Sequence, residues 1–91
     1  MKQEAGFFEN REPVLVYIAK KLSDALRLEG IFNAAGVDYG VETDEYRGGT
    51  IFAAVRVGAF FYVLPEAAGA ALEVMRRNGY KPVLEPAPPV R

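Results

Sequence analysis

A single α+β domain made of two β-α-β halves in tandem is the fold class this chain predicts, and three observations carry it. The first is the stretch from Ile51 to Asn78. A bulky, β-branched and aromatic run (Ile51–Leu64, interrupted by Gly58) meets Pro65, and an amphipathic helix follows. The second is a similar opening unit, in which the β-branched run Val14–Ile18 leads into a helix that Gly36 closes. The third is the agreement between them: a shift of 43 residues brings Ala25 onto Ala68, Ile31 onto Val74, Phe32 onto Met75 and Gly36 onto Gly79. Two such halves build a ferredoxin-like β-α-β-β-α-β sandwich, a four-stranded antiparallel sheet with both helices on one face.

Each element has its own signal. Residues 1–13 form a polar N-terminal extension whose apolar pair, Phe7-Phe8, is available to dock on the domain or on a neighbour. Residues 14–84 form the domain. Val14–Ile18 lacks polar alternation and reads as a central strand. The first helix is expected from Ser23, an N-cap residue followed by Asp24 near the positive end of the helix dipole, to Ala35. Leu28, Ile31, Phe32 and Ala35 make its buried stripe, with Ala25 one turn earlier. Val37–Thr43 reads as a second strand, and the polar, glycine-rich Asp44–Gly49 as a turn. The long strand then alternates: Ile51, Ala53, Val55 and Val57 on one face, Phe52, Ala54 and Arg56 on the other. Continued through Gly58, that alternation adds Phe60, Tyr62 and Leu64 to the second face, whereas a bulge there would swap them. Pro65 suits the first turn of a helix, because its missing N–H has no partner to lose there. Ala68, Ala71, Leu72 and Met75 share one face of that helix, and Asn78-Gly79 ends it. Tyr80–Leu84 reads as a last strand, at an edge because Pro82 cannot donate to a ladder. Residues 85–91 hold three prolines and read as an extended tail.

Composition removes several functions. The chain has no cysteine and no histidine, which excludes disulfides, thiolate metal sites and His-dependent triads within it. Eleven basic residues against twelve acidic ones are a poor footprint for binding by phosphate neutralisation. No apolar run has the length of a membrane span and no signal-peptide core opens the chain, so a cytoplasmic protein without membrane contact is expected.

The candidate sites follow from the sheet. With helices on one side only, the other side presents aromatic rings and one arginine. Phe52, Phe60 and Tyr62 are expected to pack against a second copy of the chain, giving a homo-oligomer. Base stacking on such a platform is the nucleic-acid alternative, weakened by the negative charge and the lack of an RNP1 sequence. Tyr46, Arg47, Gly48 and Gly49 sit in the expected hairpin tip, where glycine-rich backbone can wrap an anion. Together with Arg56, which needs a partner inside an apolar strand, they form the candidate surface for a small ligand or protein partner. Glu42, Asp44 and Glu45 supply oxygens suited to a hard cation, but their spacing matches no EF-hand and they read as a solvated turn. Arg76, Arg77 and Lys81 gather where a helix dipole favours positive charge. No metal, cofactor or catalytic residue is expected. A small enzyme using carboxylates with Tyr46 or Arg56 is the remaining alternative, with no titratable pair visibly placed for it.

Asp24-Ala25 with Gly30–Val37 resembles the "EA…GLLEAAGI" helix-to-strand segment of a small family of prokaryotic signal-transducing proteins. Tyr62–Ala67 with Ala70-Ala71-Leu72 is similar to that family's "LLVPEEDAEEA" segment. The resemblance spans Val14 to Val83, and departs from the family in the rich apolar run Ile51–Val57 and in the extension bearing Phe7-Phe8. It implies a PII-like, ferredoxin-type fold and a signalling role, and it brings no catalytic residue with it. The function expected is therefore that of a non-enzymatic regulatory or interaction module.

Overall fold

A computed structural model describes residues 1–9, 11–48, 54–83 and 85–86. Two helices, α1 (Leu22–Ala35) and α2 (Pro65–Arg77), pack on an antiparallel sheet whose full strands are β1 (Val14–Ala19), β2 (Gly40–Gly48) and β3 (Ala54–Val63). β3 lies between β1 and β2. One core cluster joins the layers. Val16, Ala19, Phe61 and Val63 of the sheet meet Leu28 and Phe32 of α1 and Ala71 and Met75 of α2. Both helices therefore close the same face.

The helix ends obey local chemistry, with one correction. α1 begins at Leu22, so Ser23 is inside the first turn and Lys21 occupies the cap without a side-chain hydrogen bond. Asp24 lies in that first turn, and its carboxylate accepts hydrogen bonds from the Tyr17 and Tyr80 hydroxyls. Gly36 (φ 74°) ends α1 and Gly79 (φ 83°) follows α2, both in the left-handed region that a side chain disfavours. Pro65 opens α2 behind Leu64. Leu64 is thus a buried helix cap, and the strand alternation stops at Val63 before reaching it.

The strands differ more from expectation. β3 runs through Gly58 without a break in register, Gly58 standing opposite Asp44. The irregularity lies in β1 instead. Leu15 pairs with Tyr62 and Tyr17 with Phe61, so Val16 is an extra residue and both Val16 and Tyr17 reach the helical side. Asp44–Gly48 is strand, not turn: it pairs with Ala54–Gly58 beyond the end of β1 and makes a two-stranded arm. Val37–Tyr39, expected to open the second strand, instead joins the N-terminus through a parallel bridge between Lys2 and Tyr39. Tyr80–Val83 forms no strand. The Val83 N–H donates to the Val16 carbonyl at 2.8 Å, and the pairing with β1 is made two residues later, by Glu85 and Pro86 on Leu15 and Val14. Pro82 explains the delay, since it has no N–H to contribute.

The N-terminal residues are docked. The Gln3 N–H donates to the Tyr39 carbonyl at 2.6 Å, and the Tyr39 N–H to Met1 at 3.1 Å. A single 3-10 turn (Ala5–Phe8) follows, and its two rings meet edge to face at 5.1 Å. Phe7 lines a groove with Leu64 and the start of α2, and the Phe8 ring lies over Gly40.

Candidate functional site

The sheet face away from the helices (the reverse face) is set by the register. Leu15 stands opposite Tyr62 and Ile18 opposite Phe60, while their chain neighbours Val63, Phe61 and Ala59 point into the core layer. None of Leu15, Ile18, Phe60 or Tyr62 belongs to the core cluster or packs against it. Leu15 is buried and the other three half-buried. An apolar strip therefore crosses the sheet where no helix covers it. Phe60 and Tyr62 lie where the sequence placed them, and Phe52 lies outside the described residues.

Two glycines shape this face. A Cβ on Gly58 would sit 3.0 Å from Tyr46 Cε1, 3.1 Å from the Ala19 carbonyl oxygen and 3.1 Å from Ile18 Cγ2. The Tyr46 ring thus lies diagonally across Gly58, as an aromatic residue does when it shields a strand glycine. A Cβ on Gly40 would meet the Phe8 ring at 2.5 Å. Rings occupy the space both side chains vacate.

Charge frames the strip. Glu42 and Asp44 on β2, opposite Phe60 and Gly58, share this face. So do Arg56, opposite Tyr46, and Lys20, whose ammonium lies 5.6 Å from the Tyr46 ring centroid. Two carboxylates and two cations thus border one apolar strip. Glu45, one residue on from Asp44, faces the other way, so the three acidic residues do not converge as cation ligands would. Among the described residues no such group of ligands occurs.

The candidate ligand set is divided. Tyr46, Arg47 and Gly48 belong to strand β2, and Gly49 lies outside the described residues. Tyr46 and Arg56 are cross-strand partners on the reverse face, and Arg47 pairs with Val55 in the same ladder. As far as Gly48 the expected tip is therefore strand. Of the basic group at the end of α2, Arg77 pairs with Glu73 at 3.0 Å within the helix.

Sequence reasoning missed a polar cluster at the start of α1. Tyr17 Oη donates to Asp24 Oδ2 at 2.7 Å and Tyr80 Oη to Asp24 Oδ1 at 2.9 Å. The Tyr17 and Tyr80 rings meet edge to face at 5.1 Å, and the Arg27 guanidinium stacks 4.9 Å from the Tyr80 centroid while donating to the Asn78 carbonyl at 3.2 Å. Burial, followed by the Asp24 hydrogen bond, pushes the ionisation of both tyrosines up. Every polar partner is engaged, so the cluster reads as a staple between β1, α1 and the segment after α2. Only the spacing of Tyr17 and Asp24 around the strand–helix junction hinted at it; Tyr80 is 56 residues away from Asp24.

No known family, curated protein or solved structure matches the chain. Among the described residues, no helix is long and apolar enough to cross a membrane.

Proposed function

We propose that the chain is a non-enzymatic interaction module that binds a second copy of itself through the reverse face of its sheet. One observation carries the reading: half-buried Ile18, Phe60 and Tyr62 flank buried Leu15 in an apolar strip outside the main core cluster, on the side the helices leave uncovered. Such faces in small domains are covered by association. The charges suit a self-complementary contact, because Glu42 and Asp44 balance Arg56 and Lys20 on the same face. The same two carboxylates disfavour nucleic acid, since they would stand against its phosphates.

A four-stranded ferredoxin-like sheet of the β-α-β-β-α-β kind underlies this role. The pairing of Glu85–Pro86 on the far side of β1 supports it, with the order β2-β3-β1-β4 when those two residues are counted as a strand. The resemblance of Gly30–Val37 and Tyr62–Ala67 to the PII-like signalling family fits a regulatory setting, in which pairing would present the β2–β3 arm to a ligand or protein partner. Sedimentation velocity over a wide concentration range tests the reading. A mass rising toward twice the monomer's supports it, as does loss of that rise in Phe60→Glu. A wild-type chain that stays monomeric throughout would overturn it.

A further inference from the structure

At the Tyr62 end of the reverse face, the docked N-terminal segment and the sheet enclose a cleft of about 450 Å³. This is within the size range of small-molecule sites. Its walls are the Phe8 ring, Pro13, Gly40 and the Tyr62 ring. The missing side chain of Gly40 lets the Phe8 ring settle against the strand, and a methyl group there would collide with it. The apolar lining is thus built by one chain from two distant segments.

The polar groups at the cleft are mostly of one sign. Glu4 and Glu42 both line it, and neither enters an ion pair among the described residues. Lys2 lines it too, but its ammonium stands 3.4 Å from the Glu29 carboxylate, so its charge is already matched. The Tyr62 phenol keeps its proton more firmly than a free tyrosine, through burial first and then the negative charge of Glu42 and Asp44. The two lining carboxylates, Glu4 and Glu42, outnumber the one lining cation, Lys2.

We propose that this cleft binds a small organic cation with an aryl or alkyl body: a primary amine or a guanidine. The body would fill the space between Phe8, Pro13 and Tyr62. The cationic head would lie near the ring faces, whose quadrupole attracts it, and would donate charge-assisted hydrogen bonds to Glu42 and Glu4. An anion of the same shape would meet the carboxylates and be repelled, and a neutral analogue would keep only the apolar contact. The cleft is lined within one chain, so the inference does not rest on self-association; because Glu42 and Tyr62 also border the face proposed to pair, the ligand competes with a second copy, and the titration is made at concentrations where the chain is monomeric.

Three probes with the same ring and different charge test it: benzylamine, benzyl alcohol and benzoate, titrated into the full ¹⁵N-labelled chain. The expected result is saturable shifts at Gly40, Glu42 and Tyr62 with benzylamine, about tenfold tighter than with benzyl alcohol, and none with benzoate. Glu42→Gln, on an exposed strand position, should weaken benzylamine several-fold, leave benzyl alcohol unchanged and preserve the rest of the spectrum. Equal binding of all three probes would overturn the proposal. So would shifts that map away from this end of the sheet, or a Glu42→Gln chain that binds benzylamine as the wild type does.

Discussion

Replacing Gly58 with alanine tests whether the Tyr46 ring lies across the centre of the reverse face. On strand propensity alone the change should help, since glycine within a strand costs roughly 0.5–1 kcal/mol relative to alanine. Gly58 has no positive φ to defend, so the backbone does not oppose it. The space does. The new methyl would stand 3.0 Å from Tyr46 Cε1 and 3.1 Å from both Ile18 Cγ2 and the Ala19 carbonyl oxygen. The tyrosine can swing, but the carbonyl belongs to β1 and moves only with the strand. Overpacking of this kind costs about 1–3 kcal/mol, which outweighs the propensity gain. The expected net loss is about 1–2 kcal/mol, and each kcal/mol lowers the melting temperature of a domain this size by roughly 4–8 °C. Urea and thermal unfolding, followed by circular dichroism, read it directly. The same substitution in a Tyr46→Ala background should cost less, with a coupling of about 0.5–1 kcal/mol, because the ring is gone and only the Ile18 and Ala19 contacts remain. A Gly58→Ala chain as stable as the wild type, or a loss that Tyr46→Ala leaves unchanged, would mean that the Tyr46 ring does not lie across Gly58.

Other expectations follow from the tyrosine staple and the docked N-terminus. Native Tyr17 and Tyr80 hold their protons above the usual tyrosine range, whereas the unfolded chain releases them near pH 10. Their contribution is therefore complete below about pH 10 and lost as pH rises through the raised native values, so urea midpoints should fall on the alkaline side and fall less steeply in Tyr17→Phe. Asp24→Ala removes the acceptor of both tyrosine hydroxyls and should cost about 2 kcal/mol in urea unfolding. Phe8→Ala should release the N-terminal segment from Gly40 and speed tryptic cleavage after Arg11 several-fold, without changing the helical circular dichroism. An unchanged cleavage rate would mean that the backbone bonds at Gln3 and Tyr39 hold the segment without the ring.

What the sequence disclosed, and what it hid, follows the range of the interactions. The ends of α1 and α2 are set within a few residues by Gly36, Pro65 and Gly79, and all three were legible. The strand alternation that puts Phe60 and Tyr62 on one face was legible too, as a local period of two. Asp44–Gly48 was not, because its polar residues belong to a ladder beyond the core, where pairing with Ala54–Gly58 decides the conformation. The bulge at Val16 was equally hidden, since an uninterrupted apolar run carries no mark of which residue is extra. Phe8 over Gly40, and Tyr80 on Asp24, join residues 32 and 56 positions apart. Neither partner is unusual alone. The cleft and the staple exist only where the fold brings distant segments together.

The claim that two copies meet through the reverse face is tested most directly by isotope-filtered NMR on a mixture of labelled and unlabelled chains. Pairing through this face gives intermolecular contacts between the Ile18 methyl groups and the Phe60 and Tyr62 rings. A dimer whose intermolecular contacts arise from α1 and α2, with none at Ile18 or Phe60, would contradict it.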